Sequence, residues 1–178
     1  MIKSLIKSWV TYLLKCSKNK VIKPWNYSKM NIKNPSKLKE EIIRDEGVVY
    51  AIYKDHLGYP TFGIGHLVKE SDPEFGQPVD TPVSEERVDE VWEHDFAEHV
   101  EECGKLYPDL ENYPDEVQRV LVNMTFNMGM TRLSKFQNFK KAIESNDWKQ
   151  AAVEGRDSRW YNQVTNRAER LMTMLEEV

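Results

Sequence analysis

The stretch Arg44–His66, "RDEGVVYAIYKDHLGYPTFGIGH", decides how this chain is read. It opens at the end of a helical pattern. Ser36 can cap that helix, Leu38, Ile42 and Ile43 mark its inner face, and Gly47 ends it. "VVYAIYK" then reads as a strand, by its β-branched and aromatic content. "DHLG" is a turn and "YPTFGIGH" a second strand, so the stretch is expected to fold as a β-hairpin. A hairpin requires neither Glu46 at its entrance, nor Asp55 at its turn, nor Thr61 on its return strand.

Leu38, Ile42 and Glu46 are spaced i, i+4, i+8, which places Glu46 beside the apolar stripe of its helix. A carboxyl there is expected to lose water, so that its neutral form is favoured. Such an acid can donate a proton to a leaving oxygen near neutral pH. Asp55, at a turn, is expected to stay wet and ionised, with Thr61 able to help hold a water beside it. Two carboxyls driven to opposite protonation states are what glycosidic bond cleavage uses. The spacing does not decide the matter alone, since Glu before a terminal Gly and Asp at the start of a turn are also ordinary local choices.

Working outward, residues 69–83 hold three prolines and read as a loop. The remainder is helical by period. Val88, Val91, Trp92, Phe96 and Val100 mark one face of Ser84–Cys103; Val117, Val120, Leu121, Met124 and Met128 mark one face of Asp115–Met128. Ser134 and Gln137 are expected to form a capping box ahead of Phe139 and Ile143. A short helix near Trp148–Val153 follows, then a last one from about Thr165 carrying Ala168, Leu171, Met172 and Leu175. The expected fold class is therefore α+β, mostly α. A small α/β lobe at 47–83 is joined by a helix at 84–103 to a helical lobe at 104–178.

Charge separates the front of the chain from the rest. Residues 1–39 hold ten lysines and no acid, whereas residues 40–178 carry 15 basic against 29 acidic side chains. Residues 1–33 read as a basic arm and linker, and residues 1–15 have the apolar spacing of an amphipathic helix able to touch a membrane surface. They make a poor secretion signal, because Lys7 and Lys15 interrupt the apolar run. Cys16 and Cys103 form no disulfide framework and no CxxC motif. His94 and His99 show no metal-ligand spacing and read as solvated helix residues; no metal or cofactor is expected. The acidic body argues against nucleic acid as a partner.

Glu46, Asp55 and Thr61 meet the pattern Glu, eight residues, Asp, five residues, Thr. With "NMTFNMG" (Asn123–Gly129) and "SRWYNQVTNRAER" (Ser158–Arg170), this resembles the T-even phage lysozymes, glycoside hydrolase family 24, over about Met30–Leu175. The resemblance implies a lysozyme-like two-lobed fold. It implies hydrolysis of the β-1,4 bond between N-acetylmuramic acid and N-acetylglucosamine in peptidoglycan, with inversion and without a cofactor. Glu46 would be the general acid, Asp55 would activate water with Thr61 assisting, and Arg167 would brace Glu46 from the helical lobe. His66 and Asp95 would form a structural ion pair, and Phe126 and Asn127 would border the cleft.

From this follow an expected monomer acting as a phage endolysin in host lysis, made in the host cytoplasm and reaching periplasmic peptidoglycan on release. A tail-associated lysozyme and a non-catalytic peptidoglycan-binding protein are the alternatives. An acidic enzyme on an anionic wall needs local positive charge, expected from the arm or from Arg156, Arg159, Arg167 and Arg170.

Overall fold

A computed structural model describes residues 32–178. The expectations for the arm, including membrane contact through residues 1–15, lie outside the described residues. The described chain enters at Ile32, which is buried in the larger core. The Lys33 backbone N–H donates to Gln118 Oε1 at 2.8 Å.

Helix α1 (Pro35–Glu46) begins two residues earlier than a cap at Ser36 would start it. Asn34 is the cap, accepting from the Lys37 N–H, and Pro35 fills the first helical position, where a missing N–H costs nothing. Leu38 and Ile42 are fully buried, and Gly47, at φ 77°, turns the chain out of the helix.

The expected hairpin is a three-stranded antiparallel sheet, in the order β1 (Val49–Lys54), β2 (Pro60–Gly63), β3 (His66–Leu67). The second strand is broken because Gly63 and Gly65 both take positive φ, which folds "GIGH" back on itself. Tyr53 pairs with Thr61, and Thr61 in turn with Leu67, so these three side chains share one face. Phe62 points the other way, into a small core with Ile52, Val68, Val83, Val88 and Val91.

Helix α2 (Glu85–Leu106), capped by Ser84, joins the lobes by serving both cores. Val88 and Val91 complete the small core, while Trp92, Phe96 and Cys103 enter the large one. Burial pushes the Cys103 thiol up to about 12, which leaves it unreactive.

The helical lobe wraps around α3 (Asp115–Met128). The sequence period gives α3 one apolar stripe, yet Gln118, Arg119, Asn123 and Thr125 are buried as well. Each of these side chains finds a hydrogen-bond partner. The Gln118 amide donates to the carbonyls of Leu110 and Glu111 at 3.0 Å, and Arg119 pairs with Glu41 of α1 and Asp115. Burial pushes the Glu41 carboxyl up, against the pull of Arg119.

Helices α4 (Met130–Leu133), α5 (Gln137–Glu144), α6 (Trp148–Arg156), α7 (Arg159–Gln163) and α8 (Thr165–Glu176) complete the lobe. The expected capping box does not form. Ser134 still has helical backbone after α4, and Gln137 instead donates its side-chain N–H to the Ser134 carbonyl. Among the described residues no helix is long and apolar enough to cross a membrane. The architecture is thus mostly-α α+β, with two cores sharing α2.

Candidate active site

Glu46 ends α1, where the helix runs out past the apolar core. Its carboxylate is paired with the Arg167 guanidinium of α8. The dry setting expected for Glu46 is therefore not what the fold provides: its side chain is 29% exposed and its neighbour is a cation, not an apolar wall. Leu38, Glu41 and Ile42 take the buried positions of the helix, and Glu46 does not join them.

Arg167 itself is buried and held from three sides. Its Nε donates to Asn123 Oδ1 at 2.8 Å and lies 3.4 Å from Asp45 Oδ2, and its Nη2 donates to the Asn123 carbonyl at 3.3 Å. Asp45, 2% exposed at its side chain, also pairs with Arg170 and accepts from Asn123 Nδ2 at 3.2 Å. Three residues of this net, Asp45, Asn123 and Arg170, are absent from the sequence-derived site. A signal existed: Arg167 and Arg170 share a face of α8 at i, i+3, and two cations side by side on a packed helix call for more than one carboxylate.

A groove of about 420 Å³ opens beside this net, lined by Glu46, Asn127, Gln163, Thr165, Asn166 and Arg167 among others. Asn127 is fixed in its wall by accepting from Trp160 Nε1 at 2.7 Å. Phe126 lies elsewhere. Its ring packs on Trp92 and edge-on against His99, with centroids 5.6 and 4.6 Å apart, in the seam between α2 and α3.

Asp55 follows β1 and closes its own turn. Its Oδ1 accepts from the N–H groups of Leu57 and Tyr59 at 2.9 and 2.8 Å, which leaves Oδ2 outside the turn's bonding. Thr61 is buried and donates its hydroxyl to the Tyr59 carbonyl at 3.1 Å. A hydroxyl that donates in this way keeps lone pairs to accept from water. Tyr53 relates the two acids: burial raises its phenol, and the charges of Glu46 and then Asp55 raise it further.

Away from the groove, His66 Nδ1 lies 2.6 Å from Asp95 of α2, and its Nε2 lies 3.1 Å from Asp72. Asp72, a second partner that sequence reasoning missed, is also held by Arg87. The positive potential expected from four arginines is largely spent inside the protein. Arg156 is bound by Glu169 and Glu176, Arg167 by Glu46 and Asp45, and Arg170 by Asp45. Arg159 is exposed.

A family model described as Phage lysozyme matches residues 44–174 of the chain, a span that contains every residue of the groove and of the Asp55 turn. The chain belongs to the phage lysozyme family. Among similar proteins is the pre-baseplate central spike protein Gp5 of Enterobacteria phage T4, 30% identical over 161 residues. That match covers 80% of this chain but only 28% of the spike protein. Two Dictyostelium discoideum proteins, probable T4-type lysozymes 2 and 1, are each 29% identical over 160 residues, covering 79% of this chain and 94% of theirs. The phage lysozyme match begins at Arg44, so Asp45 and Glu46 fall inside it while most of α1 precedes it.

Proposed function

We propose that this phage lysozyme family member is an N-acetylmuramidase that cleaves the β-1,4 bond between N-acetylmuramic acid and N-acetylglucosamine in peptidoglycan. What supports the reading is Glu46 paired with Arg167 beside a groove, together with Asp55 held in its own turn with one carboxylate oxygen left over. Glu46 gives a proton to the glycosidic oxygen as the bond to the anomeric carbon breaks. Asp55 takes a proton from a water that attacks that carbon from the opposite face, and the configuration inverts. Thr61 accepts from the same water. A glycan strand lying in the groove supplies the dry cover over Glu46 that the free protein lacks.

The biological setting is part of the same proposal: an endolysin, monomeric, made in the host cytoplasm and released onto the periplasmic wall, with residues 1–15 touching the membrane surface on the way. Liposome co-sedimentation of the full chain, with and without lysine-to-glutamate changes in residues 1–15, tests that last point. The match to the phage T4 spike protein favours a second setting, a tail-associated lysozyme. The two separate by where the chain is found. Its presence in purified virions supports the tail, and its absence there with abundance late in infection supports the endolysin.

The chemistry is tested on purified peptidoglycan by counting new reducing ends. Glu46→Gln and Asp55→Asn are each expected to lose roughly 100-fold or more, the scale of general acid–base catalysis. Equal release by wild type and Glu46→Gln refutes the mechanism. Binding without any release by wild type would instead mark a non-catalytic peptidoglycan-binding protein.

A further inference from the structure

Helix α2 carries nine acidic residues among its 22, a strong attraction for cations along one rod. On it, His94, Asp95 and Glu98 stand at i, i+1 and i+4, and one ligand atom from each lies within 4.8 Å of the others. Imidazole nitrogen and carboxylate oxygen bind zinc at about 2.0–2.2 Å, which sets neighbouring donors about 3.4 Å apart in a tetrahedron. Closing on an ion therefore asks each side chain to move by about 1 Å. His94 and Glu98 can do so, with side chains 70% and 54% exposed.

Asp95 supplies the fixed point, and its orientation comes from outside the cluster. Its Oδ2 is engaged by His66 Nδ1 at 2.6 Å, and His66 is anchored in turn by Asp72. That leaves Oδ1 directed toward His94, 3.5 Å from its Nδ1. A carboxylate whose far oxygen is hydrogen-bonded is how proteins aim an acidic metal ligand. One surface contact must yield: Lys69 Nζ lies 3.7 Å from Glu98 Oε2, and both groups are about half exposed.

We propose that His94, Asp95 and Glu98 form a binding site for a divalent transition ion, with zinc the best match and water completing the coordination. The imidazole sets the class. An all-oxygen cluster suits magnesium or calcium, whereas a nitrogen donor beside two carboxylates favours zinc and its neighbours. The ion shares the Asp95 carboxylate with His66, so it reinforces the joint where β3 meets α2, apart from the groove and independently of the activity proposed above.

The test is calorimetric titration of zinc chloride into the full chain at neutral pH in a non-chelating buffer, with magnesium chloride as the control. Melting temperatures are recorded with zinc and with EDTA. Saturable zinc binding is expected in the wild type, and His94→Ala and Glu98→Gln, which each remove a direct ligand, should each weaken one equivalent by at least the roughly tenfold seen when an outer-shell partner is lost. Zinc should raise the wild-type melting temperature and leave that of His94→Ala unmoved. Both side chains are exposed, so melting in EDTA shows whether the variants fold as the wild type does. Identical zinc isotherms for wild type and His94→Ala overturn the site. So does an absence of saturable zinc binding, or an equal response to magnesium.

Discussion

Glu46 and Asp55 are near neighbours in the chain, yet the fold holds them by different means. The partner of Glu46 is Arg167, 121 residues away, and the partner of the adjacent Asp45 is Arg170, 125 residues away. Asp55 is held by N–H groups two and four residues on. One carboxylate is placed only when α1, α3 and α8 have docked; the other is placed by its own turn. Disturbing the first should therefore cost the whole fold, and disturbing the second should cost chemistry alone.

The largest effect is expected at Arg167. Arg167→Ala leaves the buried Asp45 with Arg170 and a longer contact to the exposed Arg44, and strips Asn123 of its donor. Removing one partner of a buried, hydrogen-bonded pair typically costs about 3–5 kcal/mol. Urea denaturation followed by circular dichroism measures it. Arg167→Lys should recover little, because one ammonium cannot serve Glu46, Asp45 and Asn123 in the directions a guanidinium does. A loss below about 1 kcal/mol, the level of an exposed pair, would break the contrast between the two acids.

The same contrast explains what could be read before any coordinates. The turn at Asp55, the end of α1 at Gly47 and the inner face of α2 are local matters, and local residue types announce them. Leu38, Ile42, Val88, Trp92, Phe96 and Leu171 are buried at the spacing their sequence shows. What went unread depends on partners distant in the chain. Nothing near Asp45 announces Arg170, and nothing near Glu41 announces Arg119, so the buried roles of these two acids on one helix are not visible in the sequence. Glu46 keeps contact with solvent for a similar reason, because a stripe fixes direction and not where the core ends. Gln118, Arg119 and Asn123 look solvated by type, and are buried because α3 is packed on every side.

A middle-sized effect is expected at the tie between β3 and α2, which mixes the two modes: His66 reaches Asp72 six residues on and Asp95 across the lobe. Burial alone would lower the His66 imidazole, but hydrogen bonds and charge from Asp95 and Asp72 outweigh it and hold His66 above its ordinary 6.5. Burial would raise Asp95 and Asp72, but for Asp95 the His66 imidazole, and for Asp72 the Lys69 N–H with His66, hold them below their ordinary 3.8. The histidine's contribution is complete below 6.5 and fades as pH climbs through its raised value. The aspartates' contribution is complete above 3.8 and fades as pH drops through their lowered values. His66→Gln should therefore cost most between those limits, about 1.5–3 kcal/mol as for a charged hydrogen bond, and progressively less toward alkaline pH. Urea denaturation of both proteins at a series of pH values checks this. A difference that stays flat from pH 5 to beyond the histidine's titration would show that the imidazole acts by packing and not by charge.

The smallest change in stability is expected at Asp55, and it separates the two acids most cleanly. Asparagine keeps an Oδ1 acceptor for the Leu57 and Tyr59 N–H groups, so Asp55→Asn preserves the turn and should shift stability by less than about 1 kcal/mol. It removes only the oxygen that the turn does not use, together with the charge. If the proposed hydrolysis is right, that small structural change accompanies a loss of about 100-fold or more in reducing-end release. Glu46→Gln cannot give so clean a separation, because it also takes the negative partner away from a buried arginine. Should Asp55→Asn prove as destabilising as Arg167→Ala, the turn would be no more self-sufficient than the clamp, and both acids would depend on the docked fold.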